Sequence, residues 1–541
     1  MKTILCSFIF CLMSACLTAQ PGTLDSNFGN NGKVISETYE GDAYASLLQP
    51  DGKIVVGGGG SFYKGTELLR GTLLVRYNTN GSPDLNFADS GRGVYILGDS
   101  DDYIPTIHAM ALQPDGKIVA LGNFAVQNGI FGPFSLMRFN TDGSPDENFG
   151  INGLVVCNIT GGLDAAFKVG LLKDGRIVVA GQPHKDINDY GRGFIACYNQ
   201  QGKFDRSFGD TGVVTILLDQ PAAINSMAIT ADNKIIVGGT YGSSVPADEI
   251  LLQYNNNGTP DLNFGENGMA KMSFSAQTEG VLLNDIAIDK EGRIVTAGIY
   301  YSQRGNGVAA IKVGRFTKAG FPDTAFSSDG YTYTQYIGAN AYAETIAVQA
   351  NNKIIAAGYR HVRDSGTFTI IRYNPNGSVD SAFGINGIQN TFFYGGDIAY
   401  SANIQKDGKI VLAGFSQLAR TSFVDIARYN GDATKKQIIL NKIKHYIQTH
   451  NNANAVADKI ANASISVYPN PVNNLLTIKG LDATMNYDIL MINDKGAVIK
   501  HASANNISSY QFNVQNLSSG VYYVSVISNQ KIITTLKFVK Q

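Results

Sequence analysis

The stretch Tyr77-Asn78-Thr79-Asn80-Gly81-Ser82-Pro83-Asp84-Leu85-Asn86-Phe87 decides the fold, because it returns. Its next copy reads Phe139-Asn140-Thr141-Asp142-Gly143-Ser144-Pro145-Asp146-Glu147-Asn148-Phe149. The aspartate recurs as Asp25, Asp84, Asp146, Asp205, Asp261, Asp323 and Asp380, at intervals of 56 to 62 residues. The phenylalanine three places on never varies: Phe28, Phe87, Phe149, Phe208, Phe264, Phe326 and Phe383. A glycine stands seven places after each aspartate, from Gly32 to Gly387.

Between successive copies lies a second signal, 26 to 31 residues after the aspartate. It reads Asp51-Gly52, Asp115-Gly116, Asp174-Gly175, Asp232-Asn233, Glu291-Gly292, Asn351-Asn352 and Asp407-Gly408. Such pairs supply the positive φ angles of tight hairpin turns. Short apolar runs flank each pair, as in Ser46-Leu47-Leu48 and Ile54-Val55-Val56. With one strand after the phenylalanine motif and one before the next copy, each repeat carries four strands. Repeats of this kind predict an all-β, seven-bladed β-propeller over residues 20–431. The first strand of a repeat best serves as the outermost strand of the preceding blade. Lys33 to Glu37 should then pair with the strand near Phe423 to Tyr429 and close the ring. An open solenoid is the alternative, but it calls for atypical capping repeats at its ends.

Composition agrees. The 541 residues include 60 glycines, far above the average of ~7%. With 43 basic and 44 acidic side chains the net charge is −1, which gives no electrostatic footprint for nucleic acid. Outside the N-terminal apolar stretch only Cys157 and Cys197 remain, either as one disulfide or as two buried thiols. That stretch, Ile4 to Cys16 behind Lys2, is shorter than the ~20 residues that span a bilayer. It fits a signal peptide, residues 1–19, cut after Ala19, with a lipoprotein signal at Met13-Ser14-Ala15-Cys16 as the rival. No later stretch is apolar enough to be transmembrane.

Residues 432–463 break the period. Ile439, Ile443 and Ile447 favour an amphipathic helix over Thr434 to His450, ahead of an Asn/Ala-rich linker. From 464 to 541, alternating apolar residues and Gly/Asn turns describe a small Ig-like β-sandwich.

Two resemblances follow. The Asp-x-x-Phe-Gly-x-x-Gly motif with the Pro-Asp-Gly-Lys hairpin resembles the delta-60 repeat of bacterial surface and secreted proteins, which implies a propeller and no particular reaction. Val467-Tyr468-Pro469-Asn470-Pro471, Leu517-Ser518-Ser519-Gly520-Val521-Tyr522 and the basic tail at Lys537 and Lys540 resemble the C-terminal sorting domain of the type IX secretion system, found in Bacteroidota. That likeness implies export by the type IX machinery through residues 464–541, removal of the domain, and an extracellular or outer-surface destination.

Chemistry is sparse. The six histidines stand in no metal-like spacing, and the chain has no nucleophile elbow or phosphate-binding loop. In a calcium loop of EF-hand type a bidentate glutamate closes the cage at position 12. Here that position holds Ser36, Tyr95, Cys157, Ile216, Met272, Thr334 or Thr391. Neither a metal nor a cofactor is expected. The repeat aspartates should instead cap their turns and the phenylalanines fill the seams between blades.

Function belongs on the opposite face, whose loops vary. These carry Glu40, Asp42 and Tyr44, then Asp99, Asp101, Asp102 and Tyr103, then Asp164, Asp219, Glu279, Tyr342 with Glu344, and Asp397 with Tyr400. They suggest an acidic, tyrosine-bearing rim suited to polyols, glycans or cations, against the plainer reading of solvated loop acids. The expected role is a non-catalytic recognition or scaffold propeller with a glycan or surface partner. An enzyme on extracellular polysaccharide and an adhesive coat protein are the alternatives.

Overall fold

In the computed structural model the described residues are 20–64, 67–88, 94–95, 105–125, 131–159, 163–184, 192–209, 211–242, 247–274, 279–302, 309–336, 338–362, 365–419, 421–432, 465–494, 498–528 and 531–541. The expected signal segment, the expected helix at 434–450 and the loop residues Asp99, Asp101, Asp102 and Tyr103 lie outside them. The described residues divide into two compact units, one within 19–431 and the other within 432–541.

The first unit is built from antiparallel sheets. Five have four strands, as in Pro105–Leu112, Ile118–Ala125, Phe131–Phe139 and Leu154–Cys157. A seven-stranded sheet joins repeats 7 and 1 through one long strand, Lys33–Leu48. Its start pairs Lys33, Val34 and Ile35 with Ala427, Ile426 and Asp425, while Glu40 to Leu48 pair with Ser61 to Ile54. One strand is thus outermost in one sheet and innermost in the next, in the register that ring closure demands. The inner strand of every repeat packs against that of the next, and Ile398–Ile404 of repeat 7 against Lys33–Leu48 of repeat 1. This is a β-propeller arrangement. Among the described residues the one helix is the turn Ser327–Gly330.

Each seam is fastened by the repeat motif. The phenylalanines are fully buried or nearly so, and each fills an apolar cluster drawn from two successive sheets. Phe28 packs with Val56 and Val75 on one side and Val411, Val424 and Ile426 on the other. The aspartate divides its two oxygens. Oδ1 accepts the amide two residues on, as from Asn86 N to Asp84 at 3.2 Å. Oδ2 accepts a strand arginine and a hairpin lysine, Arg76 Nε and Lys53 Nζ, both at 2.8 Å. The arginine lies over the phenylalanine, 4.3 Å from Arg76 to the Phe87 centroid, and Nη1 donates to Thr141 O of the next repeat at 2.8 Å. Repeats ending at Asp146, Asp380 and Asp25 keep the same set with Arg138 and Lys117, Arg372 and Lys353, Arg428 and Lys409. Where Cys197 replaces the strand arginine, the hairpin residue becomes Arg176, which bonds Asp205 and Asn256 O, both at 3.0 Å. Burial alone would raise the carboxyls of Asp25, Asp84, Asp146 and Asp380. The hairpin lysine, the turn amide and the arginine outweigh it and hold them below the ordinary 3.8.

The last such turn is assembled from both ends of the unit. In repeat 1, Asn78 N donates to Ser82 O and its Nδ2 to Ser82 Oγ and Pro83 O, while Gly81 N donates to Asn78 O. At the closure, Asn430 N donates to Thr23 O and its Nδ2 to Thr23 Oγ1 and Leu24 O, while Gly22 N donates to Asn430 O. Gly22 has φ 88°, Gly81 φ 87°, so even the left-handed residue is reproduced. Residues 21–25 and 428–430 rebuild without a covalent link what the other repeats form within one segment.

Every inner strand carries a bulge at one position, where register slips past Tyr44, His108, Phe167, Asn225, Asn284, Glu344 and Tyr400. Opposite stand Gly58, Gly122, Gly181, Gly239, Gly298, Gly358 and Gly414, each the fifth residue of an Ile-x-x-x-Gly run. Their φ angles are ordinary; space is what they supply. A Cβ on Gly298 would overlap Leu282 O, and one on Gly239 would overlap Ala223 O. The bulge pushes the inner strand's backbone onto its neighbour.

In the second unit, Ser466–Tyr468, Leu475–Lys479 and Ser509–Asn513 form one sheet, and Asn486–Asn493, Val498–Asn505, Gly520–Ser528 and Lys531–Lys540 the other. Leu476, Ile478, Ile489, Met491, Val524 and Phe538 fill the space between them, a small β-sandwich. Of the two readings of the cysteines, the structure has free thiols. Cys157 and Cys197 sit in different apolar clusters, each pushed up to about 12, chiefly by burial.

Two expectations follow. Carboxyls that bind protons more weakly when folded contribute stability that is complete above their unfolded value and lost as pH falls through the folded one. Urea denaturation should show stability falling below pH ~4, and replacing Asp84, Asp146 and Asp380 together by asparagine should flatten that fall. An acid limb of unchanged slope would remove the aspartates as its cause. Gly298→Ala should cost on the order of 1–3 kcal/mol in the same assay, through overpacking against a carbonyl. An unchanged denaturation midpoint would mean the strands have room to separate.

Candidate functional site at the propeller axis

The bulges define the site. The seven bulge residues occupy one equivalent level of the ring, and all are half-buried. They meet sideways. Ring centroids of Tyr44 and His108 are 4.9 Å apart, and those of Tyr44 and Tyr400 5.0 Å. Asn284 Nδ2 donates to Ala343 O at 2.9 Å and lies 3.4 Å from Glu344 Oε2; Asn225 Nδ2 donates to Leu283 O at 3.0 Å. Two residues earlier on each strand, towards the variable loops, stand Asp42, Thr106, Ala165, Ala223, Leu282, Tyr342 and Ile398. The seam positions repeat almost without change, whereas these two levels carry mostly different side chains in each repeat.

Their chemistry is lopsided. Repeats 3 and 4 contribute Ala165, Phe167, Ala223 and Asn225. Repeats 6, 7 and 1 contribute an aromatic and acidic sector. Tyr342 stacks on Tyr359 at 4.6 Å, and Tyr400 on Phe415 at 5.8 Å. Asp42 Oδ2 accepts from the Tyr44 hydroxyl at 3.4 Å, while its Oδ1 is buried without a partner. Burial raises the Asp42 carboxyl despite the Ser422 and Tyr44 hydroxyls. Burial, then the nearby Asp285 charge, pushes Glu344 up to about 7. Tyr400 is pushed up by burial and by Glu344, Tyr44, Tyr359 and Asp42, so it feels both carboxyls. Burial takes His108 down to about 4, leaving a neutral ring.

Asp285 is differently placed. It accepts Lys168 Nζ at 2.8 Å, Ser226 Oγ at 3.2 Å and Ile346 N at 3.0 Å, which ties repeats 3, 4, 5 and 6 together. Its charge has a fixed partner.

Of the residues singled out from sequence, Asp42, Tyr44, Tyr342, Glu344 and Tyr400 come together here. Asp164 and Asp397 do not: both are fully buried. Asp164 accepts Ile159 N at 2.6 Å, and Asp397 accepts Phe393 N at 2.7 Å and Gly395 N at 2.8 Å, so they brace loops rather than face a ligand. Glu279 is described by its backbone alone, and Asp101, Asp102 and Tyr103 lie outside the described residues. Sequence reading missed His108, Asn284, Tyr359, Asp285 and Lys168. A signal existed, since each bulge residue lies seven places before the first residue of its hairpin pair. Among the described residues no three His, Cys, Asp or Glu side chains are placed to hold a metal ion, and no helix is long and apolar enough to cross a membrane.

Comparison with known proteins adds the family. Residues 466–541 match the secretion system C-terminal sorting domain. The β-propeller of the domain of unknown function DUF5122 matches residues 49–87, 113–149, 172–208, 230–264 and 349–383, each segment running from a hairpin turn to the motif phenylalanine. No curated protein matches. Solved structures with a similar course include a protein of unknown function from Dyadobacter fermentans DSM 18053, 11% identical over 75% of this chain and 100% of that one, TM-score 0.38. Polysaccharide lyase Uly1 is 13% identical over 77% and 94%, TM-score 0.39. The α-L-arabinofuranosidase arb93a from Fusarium graminearum is 8% identical over 60% and 92%, TM-score 0.38. These likenesses are too loose to transfer a substrate or a reaction. The motif matches are specific, and they make this chain a type IX-exported β-propeller protein of DUF5122 repeats with a secretion system C-terminal sorting domain.

Proposed function

We propose that the chain is a recognition protein of the cell surface or extracellular space, a seven-bladed ring that binds its ligand at the axis from the variable-loop side. In this reading residues 1–19 are removed as a signal peptide near Ala19, and residues 464–541 engage the export machinery. The observation that carries it is the contrast within one chain. Seam residues recur in repeat after repeat, while the axis residues differ, and the tyrosines and carboxyls gather in the adjacent repeats 6, 7 and 1. Half-buried rings beside carboxyl and amide groups suit a ligand with both apolar and polar sides.

A second reading, an enzyme on extracellular polysaccharide, draws on Glu344. A carboxyl near 7 is suited to giving or taking a proton at neutral pH, and Tyr400 feels the charges of both Glu344 and Asp42. A glycan array with the purified protein, read beside reducing-sugar release, separates the two. The recognition reading expects retention without product, and replacing Tyr44 and Tyr400 by alanine should weaken retention by about tenfold or more. Product release that vanishes in Glu344→Gln would make the protein an enzyme. Retention that is insensitive to both tyrosines would move the site away from the axis.

A further inference from the structure

Resting on that axis site, we propose that the group it holds is an organic ammonium ion, seated among Tyr44, Tyr342, Tyr359 and Tyr400 and countered by Glu344 and Asp42. The first support is unbalanced charge. Among the described residues neither carboxyl has a basic partner. Asp42 meets the Ser422 and Tyr44 hydroxyls, and Glu344 meets the Asn284 amide, the like charge of Asp285 and the neighbouring Tyr301, Tyr359 and Tyr400. The cations that could have served are withdrawn, Lys168 by Asp285 and His108 by its neutral ring. Carboxyls left half-dry without a countercharge are destabilised as anions, and a bound cation restores the balance.

The second support is the surrounding surface. Tyrosine faces attract a cation within about 6 Å of the ring centroid, most strongly where water is thinned out. All four rings keep part of their surface open. The arrangement discriminates among ligands. An anion would meet two carboxyls. A hard metal ion wants several oxygens at bonding distance, and no such group is present among the described residues. A neutral sugar could stack on the rings but would leave both charges uncompensated. A large, weakly hydrated ammonium satisfies rings and carboxyls together.

The test is calorimetric titration of the purified protein with choline, with its uncharged carbon isostere, in which tert-butyl replaces trimethylammonium, and with cellobiose. Choline should bind at least about tenfold more tightly than the isostere. Glu344→Gln should lower choline affinity by a similar factor without lowering the thermal unfolding midpoint, whereas Tyr400→Phe keeps the ring and should keep most of the affinity. The groups facing Glu344 are the Asn284 amide, Asp285 with its Lys168, and Tyr301, Tyr359 and Tyr400, of which Tyr400 also feels Asp42. Burial holds Tyr301, Tyr359 and Tyr400 above their ordinary value, so affinity should rise as pH is raised through about 7 and Glu344 ionises. Choline binding no better than its isostere, or no worse in Glu344→Gln, overturns the inference, as does binding of none of the probes. Cellobiose binding that Tyr400→Ala abolishes would also overturn it while leaving the axis as the recognition site.

Discussion

Everything in the ring hangs on a carboxylate that serves two masters. Oδ1 of each repeat aspartate closes its own turn, while Oδ2 takes a strand arginine and a hairpin lysine at Asp25, Asp84, Asp146 and Asp380, and a single cation at Asp205, Asp261 and Asp323. The strand arginine then reaches into the following repeat. A propeller must fix the rotation between successive sheets, and apolar packing alone is indifferent to small slides. A planar guanidinium held by a carboxylate, stacked on a ring and tied to the next turn's carbonyl leaves no such freedom. The substitution at Cys197 shows that the requirement is geometric. Moving the guanidinium from strand to hairpin, as Arg176, keeps both the aspartate and the carbonyl beyond it.

With the seams fixed by recurring residues, the axis is free to vary. Bulges would weaken an isolated sheet, yet here every repeat has one, accommodated by a glycine on the adjoining strand. Each adds a side chain to the wall of the axis without lengthening the strand's partner. The ring therefore offers the same number of stations at every repeat with independent chemistry at each. The uneven distribution, aromatic and acidic on one side and small or apolar on the other, gives that wall a direction.

Much of this was legible in the residues. The spacing of Asp84 and Phe87 and their copies foretold the sheets, and the closure of Lys33 to Ile35 on Ala427 to Asp425 follows from where the first repeat begins. Arg76 stood in plain view within its strand, but nothing local reveals that its guanidinium crosses a seam. Gly58 and its counterparts have unremarkable dihedral angles, so their role appears only once a second backbone lies against them. Asp397 and Asp42 look alike in sequence, both acids near a tyrosine. One turns inward to three amides and the other keeps an oxygen unpartnered, a difference set by packing rather than composition.

The closing turn has a consequence for topology. Asn430 finds in Thr23 and Leu24 what Asn78 finds in Ser82 and Pro83, so the interruption of the polymer coincides with a site that its neighbours build unbroken. To the folded ring the break is nearly invisible. A chain sewn shut there and opened at another copy of the same turn would keep every seam and every axis station.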